Sequence, residues 1–169
     1  MIETQDLILD KGKQSDWKDM YQNVWCRREA AQYMFWNRSL CEEDAYRRME
    51  RTIAYQEDND AYLVYEKSSG KAIGFAGLKK INDTSCEESG ICLGPAYVEK
   101  GYGTQILDAL LQRARDVYHA NTFYYDARED NYVSRRLARS FGFEVVDAKE
   151  TLDQRDGNKY VILRYRKKL

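Results

Sequence analysis

Gly90 to Thr104, GICLGPAYVEKGYGT, decides how the rest of the chain is read. Ile91-Cys92-Leu93 is an apolar strand segment and Gly94-Pro95 a turn. Lys100-Gly101-Tyr102-Gly103-Thr104 then opens directly into a long helical pattern. Glycines at 101 and 103 allow backbone conformations that expose successive N–H groups. The first N–H groups of a helix have no partner inside it and sit at the positive end of its dipole. Together these features make an anion site suited to a pyrophosphate. The stretch has neither the GxxxxGK[ST] of a P-loop nor the three glycines of GxGxxG. Taken alone, it also fits an ordinary strand-to-helix turn with Lys100 as a solvated charge. A second motif downstream favours the anion site.

Working outward, Ile106, Leu107, Leu110, Leu111, Ala114, Val117 and Tyr118 form a 3.6-period stripe, the buried face of the helix after Gly103. Thr122 to Ala127, TFYYDA, reads as a strand. Strand, helix and strand in succession predict a parallel, right-handed crossover. Asn131 is placed to cap another helix, which Gly142 closes. Phe143 to Val146 begins a strand, Asp156-Gly157 is a hairpin signal and Tyr160 to Tyr165 is the last strand. Upstream, Ala61 to Glu66 and Ala72 to Leu78 flank a turn at Ser68-Ser69-Gly70, and Asn82-Asp83-Thr84 turns the chain again. Short turns between these strands predict an antiparallel meander.

Nearer the start, Thr4 to Leu9 reads as a strand and Ser15 as a helix N-cap. Trp17, Met20, Tyr21, Val24 and Trp25 share a helix face, and Ala30 to Trp36 continues helical to a break at Asn37. Ser39-Leu40-Cys41-Glu42 fits a capping box. The helix after it turns Ala45, Tyr46, Met49 and Ile53 inward and ends in the polar run Gln56 to Asp60.

The length of 169 residues predicts one domain, 1–169, with a proper core. A net charge of -1 gives no bulk field toward nucleic acid or acidic lipid. No apolar run reaches membrane length, and the N-terminus has no basic-then-apolar signal. Cys26, Cys41, Cys86 and Cys92 have no CxxC or framework spacing, so reduced thiols in a cytoplasm are expected. One histidine and scattered cysteines predict no metal site. That histidine, His119, lies near a helix end and reads as a cap rather than a base.

In order and spacing, these motifs resemble the GNAT superfamily of acetyl-CoA-dependent N-acetyltransferases. The family's cofactor motif, Arg/Gln-x-x-Gly-x-Gly/Ala at a helix start, matches Val98-Glu99-Lys100-Gly101-Tyr102-Gly103. Its downstream motif matches at Asn131, Ser134, Arg136, Gly142 and Phe143, where the arginine is a mark of the RimJ/RimL branch. Glu88-Ser89-Gly90-Ile91-Cys92-Leu93-Gly94-Pro95 resembles that branch's Glu-x-Gly-aromatic-x-Leu-x-Pro, and Trp36 to Glu42 resembles its apolar-then-Ser-x-x-Glu segment. The resemblance spans nearly the full chain. It implies an α+β domain: a central mixed sheet of about seven strands with an antiparallel N-terminal meander, a splayed parallel pair, and helices on both faces. Two positions depart from the pattern. Val98 replaces the motif's first Arg/Gln, leaving Lys100 and backbone amides to meet the pyrophosphate. Ala138 stands where many members carry a tyrosine acid.

Acetyl transfer from a thioester to an amine needs a neutral amine, a donor for the developing oxyanion, and stabilisation of the departing thiolate. Glu87 and Glu88 are the candidate bases. They point to opposite faces of one strand, so only one sees the cleft, and the motif match favours Glu88. The resemblance further implies that acetyl-CoA is the acyl donor. Ile91 and Leu93 would offer backbone groups to the pantetheine arm, with one amide facing the thioester carbonyl. Lys100, Gly101, Tyr102, Gly103 and Thr104 would hold the pyrophosphate, Asn131 would contact the pantetheine, Ser134 would hold the thiol or a water near it, and Arg136 would face a phosphate. The expected partner is an amine-bearing acceptor, either a peptide or protein N-terminus or a small amine such as a polyamine or aminoglycoside. A CoA-binding module without catalysis stays open at this stage. The protein is expected as a monomer or homodimer, bound to neither nucleic acid nor membrane.

Overall fold

The computed structural model describes residues 1–169. Strands β1 (Ile2–Glu3), β2 (Leu7–Asp10), β3 (Ala61–Glu66), β4 (Ala72–Asn82), β5 (Ser85–Leu93), β6 (Thr122–Arg128), β7 (Glu144–Leu152) and β8 (Lys159–Lys168) form a mixed sheet. Hydrogen-bonded neighbours follow the order β1-β2-β3-β4-β5-β6-β8-β7. Helices are α1 (Trp17–Met20), α2 (Arg28–Ala31), α3 (Glu42–Asp58), α4 (Tyr102–Asp116) and α5 (Tyr132–Ser140). The α+β class and mixed sheet are as expected, with eight strands rather than about seven. The additional strand is Ile2–Glu3, which pairs with Ile8 and Leu9 after a turn closed by Thr4 N–H donating to the Leu7 carbonyl.

The residues cluster into two compact units, Met1–Lys79 with Ser89–Leu110, and Lys80–Glu88 with Leu111–Leu169. In the first, β2 and β3, and then β3 and β4, pair antiparallel. Its core joins Met20, Val24, Trp25, Ala45, Met49, Leu63, Ala72 and Cys92. Each large apolar side chain buried here contributes roughly 1.5–3 kcal/mol. Helix α3 is fastened at its C-terminal end, where the Lys11 ammonium donates to the carbonyls of Gln56 and Asn59, both at 2.6 Å. The Gly12 N–H donates to the Gln56 side-chain oxygen at 2.7 Å. A cation there also complements the helix dipole. At the turn after β5, Gly94 N–H donates to the Ile73 carbonyl at 2.8 Å, and a Cβ on Gly94 would collide with the Asn23 carbonyl oxygen. Asn23 in turn donates its side-chain amide to the Ala72 carbonyl at 2.8 Å.

In the second unit, β5 and β6 run parallel, with Ser85, Cys86 and Glu87 opposite Thr122, Phe123 and Tyr124. The parallel pairing is as predicted. Strands β6 and β8, and β7 and β8, are antiparallel. Phe143 packs edge-on to Phe123 at 6.2 Å between centroids and against Tyr125 at 5.9 Å. The hairpin between β7 and β8 is closed by Asp153, whose carboxylate accepts from the Arg155 backbone and guanidinium at 2.7–3.0 Å.

Several local expectations are corrected. Ser15 is not an N-cap. It lies inside a 3₁₀ turn, Gln14–Asp16, closed by the Asp16 carboxylate accepting the Lys13 N–H at 2.7 Å. The first helical face breaks into α1 and a π turn, Tyr21–Trp25, whose wider radius still buries Val24 and Trp25. Ala30–Trp36 leaves the helix after Ala31. The capping box does not form. Ser39 N–H donates to the Trp25 carbonyl, and Cys41 is the N-cap of α3 without a side-chain bond. Ala45 and Met49 are buried as expected, whereas Tyr46 is exposed. Helix α4 buries Ile106, Leu107, Leu110, Leu111 and Ala114 but stops at Asp116, which leaves Val117 exposed. His119 follows in the left-handed region with φ 50°, its N–H donating to the Arg115 carbonyl, as befits a helix end.

Candidate active site

The loop expected to hold the cofactor, residues 98–104, lies in the first unit. Glu99 and Gly101 both take left-handed backbone, φ 63° and 78°, on either side of Lys100. A Cβ on Gly101 would meet nothing within 4 Å, so the loop is open on that side. Helix α4 starts at Tyr102 with no acidic residue in its first turn. Its leading N–H groups, from Tyr102, Gly103 and Thr104, are therefore those left for an external anion. A pyrophosphate fits this donor set.

The loop is braced from below by Glu66 of β3, a buried carboxylate that accepts from the Tyr102 hydroxyl at 2.8 Å and the Ser69 hydroxyl at 2.8 Å. Lys100 lies 3.5 Å from the same carboxylate and over the rings of Tyr97 and Tyr102. The Tyr102 hydroxyl bond, then that of Ser69, holds the Glu66 carboxyl below its ordinary range. The bond to Glu66 pushes the Tyr102 phenol up to about 12. Lys100 is thus engaged with Glu66, and sequence reasoning had left that role out. Val98, where the family motif has Arg or Gln, is exposed. Ile91 and Leu93 are half-buried on β5.

The second unit carries the remaining candidates. The Asn131 side chain caps α5, accepting the Ser134 N–H at 3.1 Å. The cap aims the first turn so that the Ser134 hydroxyl meets the Tyr125 hydroxyl at 2.8 Å. Burial, with the nearby charge of Glu88 as a second cause, raises the Tyr125 phenol well above its ordinary range, so it stays protonated. Glu87 is held by Arg164 at 2.6 Å, and the same guanidinium reaches Asp126 at 2.9 Å. The two glutamates are thereby distinguished: Glu87 belongs to an ion-pair network, and Glu88 lies within electrostatic reach of Tyr125. Ala138 is fully buried, and Arg136 is exposed on α5. Tyr125 is a residue to which the sequence analysis gave no place beyond the strand Thr122 to Ala127. Its signal was the alternation of Phe123, Tyr125 and Ala127 onto one face of a strand that ends just before the Asn131 cap.

The acetyltransferase (GNAT) domain family matches residues 6–144, from the edge of β2 to the first residue of β7. The chain belongs to the GNAT acetyltransferase family. No curated protein matches the sequence. Among solved structures, the fold is similar to that of a GNAT-family acetyltransferase from Bacillus anthracis, at 15% identity and TM-score 0.83 over 99% of this chain and 97% of that one. It is also similar to the Salmonella typhimurium acetyltransferase that modifies the N-terminal serine of ribosomal protein L7/L12, at 19% identity and TM-score 0.78 over 98% and 96%. A third is the Vibrio cholerae spermidine N-acetyltransferase in complex with CoA and spermine, at 17% identity and TM-score 0.77 over 98% and 96%. As a GNAT enzyme, the protein is an acetyl-CoA-dependent N-acetyltransferase acting on an amine acceptor. No group of His, Cys, Asp or Glu side chains is arranged to hold a metal ion, and no helix is long and apolar enough to cross a membrane.

Proposed function

We propose that this GNAT acetyltransferase, as one domain of the RimJ/RimL-like branch, acetylates the α-amine of a peptide or protein. The observation that carries this reading is the make-up of the proton-handling groups. Position 138 holds a fully buried alanine, and the hydroxyl beside the Asn131 cap is Ser134, backed by Tyr125. Such a site suits an acceptor that needs little deprotonation. A lysine amine titrates near 10.4 and an α-amine near 7.7–8.0, a difference of roughly 3–4 kcal/mol in favour of the α-amine at neutral pH.

In this mechanism Glu88 takes the amine proton, directly or through a water, as nitrogen bonds to the thioester carbonyl carbon. The Ile91 N–H faces the carbonyl oxygen as negative charge develops there. As the carbon–sulfur bond breaks, the Ser134 hydroxyl donates toward the leaving sulfur, and the protonated Tyr125 hydroxyl donates to Ser134 from behind. The Leu93 backbone and the Asn131 side-chain amide, whose oxygen is taken by Ser134 N–H, hold the pantetheine arm. The N–H groups of residues 101–104 hold the pyrophosphate, and Arg136 adds charge for a phosphate. Bound acetyl-CoA supplies the activated acetyl group.

The test is a pair of peptides incubated with acetyl-CoA, one with a free N-terminus and no lysine, the other N-blocked with one lysine. Mass spectrometry should place the acetyl group on the free N-terminus at the faster rate. Acetylation confined to lysine, or to polyamines or aminoglycosides, overturns the α-amine reading.

A further inference from the structure

A cavity of about 750 Å³ opens within the first unit, in the size range of small-ligand sites. One wall is α3. Four arginines, Arg38, Arg47, Arg48 and Arg51, line it against a single carboxylate, Asp44. Three of the four come from one turn and a half of α3, at spacings that share a face. Arg47 is answered by Glu43, four residues before it. Arg48 is not answered by any carboxylate. Its guanidinium is stacked on Trp25 at 4.9 Å and Trp36 at 4.3 Å, and its hydrogen bond goes to the Asn37 carbonyl at 3.1 Å. One bond leaves most of its five donors available. Burial pulls Arg48 down to about 10, and the charge of Arg51 pushes the same way. Holding the half-buried Arg48 beside the exposed Arg51, with no carboxylate of its own, is costly unless a ligand supplies the anion.

The opposite wall belongs to the strands. Phe75 faces Trp36 edge-on at 6.5 Å, and Ser89 and Gly90 of β5 complete the lining. Gly90 has φ 129°, and a Cβ there would come within 3.3 Å of the Phe75 ring, so a side chain would narrow the cavity. These two residues directly follow Glu88 and precede Ile91 in the sequence. The cavity therefore borders the strand assigned the chemistry.

We propose that this cavity binds the acceptor through a carboxylate carried close to the reacting amine, with Arg48 and Arg51 as its main contacts and Arg38 as an outer one. The inference rests on the α-amine reading above and narrows it to acidic acceptors. A planar guanidinium held between indoles is preorganised for two parallel bonds to a carboxylate. The same positive field disfavours an ammonium and so favours the neutral amine that attacks. It also repels polycations, which sets this cavity against polyamines.

The experiment measures kcat/KM with acetyl-CoA for matched short peptides whose second residue is Asp, Asn or Lys, with free aspartate and spermidine as further arms. The Asp peptide should exceed its Asn isostere by about tenfold or more, as loss of charge-assisted bonds implies, and the Lys peptide should be slowest. Activity on free aspartate equal to that on the Asp peptide would make the ligand a free amino acid; a preference for the peptide makes it an acidic N-terminus. Both support the carboxylate site. Arg51→Gln, at an exposed position that leaves the stacked core intact, should bring the Asp-to-Asn ratio toward one, and Arg48→Gln should do so more fully. Calorimetry with the N-acetylated Asp peptide should show weaker binding in both variants. Equal rates on Asp and Asn peptides in the native enzyme, or a ratio unmoved by Arg51→Gln, overturn the inference while leaving the α-amine reading intact. Turnover of spermidine alone overturns both.

Discussion

Helices α3 and α4 begin in opposite ways. The first turn of α3 carries Glu42, Glu43 and Asp44, so the positive end of its dipole is met by its own side chains. The first turn of α4 carries no acid, follows a left-handed glycine, and is supported by a carboxylate, Glu66, that reaches it through the Tyr102 hydroxyl. A helix start that answers itself serves stability. One that is left unanswered over an open loop has N–H groups to offer, here those proposed for the pyrophosphate.

The largest effect should come from making α4 resemble α3. Gly103→Asp puts a negative side chain among the N–H groups proposed for the pyrophosphate, and titration with acetyl-CoA should show binding in the native protein and almost none in the variant. The converse change, Glu42→Gln at the start of α3, should cost about 0.3–1 kcal/mol of stability without changing acetyl-CoA affinity. Equal affinity in native protein and Gly103→Asp would remove the contrast between the two helix starts.

Next in size is the base. Glu88→Gln should lower the rate about 10²–10⁴-fold with acetyl-CoA affinity nearly unchanged. Glu87→Gln, which breaks the pair with Arg164, should show mainly in stability. A rate loss at Glu87→Gln alone would reverse the assignment of the two strand faces.

Much of this arrangement was legible in the sequence, because the strands alternate, the helices keep their period, and Asn131 and Gly142 bound α5 as their chemistry dictates. What failed was local and had a tertiary cause. Ser39 had the right neighbours for a capping box, but its N–H is taken by the carbonyl of Trp25, fourteen residues earlier in the chain. The period through Val117 and Tyr118 ran on, yet His119 adopts a left-handed turn and α4 ends first. At the candidate site, motif positions could be named one at a time, whereas the side chains they meet came from other strands. Examples are Glu66 under the cofactor loop, Tyr125 behind Ser134 and Arg164 on Glu87.

A smaller effect concerns acid. Glu66 and Asp153 both titrate below their ordinary values, Glu66 through the Tyr102 hydroxyl and Asp153 through Arg155. The folded protein therefore binds these protons more weakly than the unfolded chain. Their stabilisation is complete above the ordinary values of 4.5 and 3.8 and is lost as pH falls through the lower folded ones. Urea midpoints should fall from pH 6 to pH 3, and Glu66→Gln should flatten that dependence. The smallest change is expected at Tyr165, whose hydroxyl is buried without a hydrogen-bond partner. Tyr165→Phe removes that cost and should raise stability by about 1 kcal/mol, seen as a higher melting temperature of about 2–4 °C.

The contact between Gly94 and Asn23 has a consequence for how the enzyme diversifies. The turn that leads into the cofactor loop is pressed against the backbone of the π turn, and Asn23 is tied to β4 at Ala72, next to the residue that holds Gly94. Any larger residue at 94 would need the N-terminal helices to retreat, and any retreat of those helices would release the turn. Substitutions along α3 leave this junction untouched, whereas drift at the Asn23–Gly94 junction would disturb the turn before α4 and the N-terminal helices in a single step.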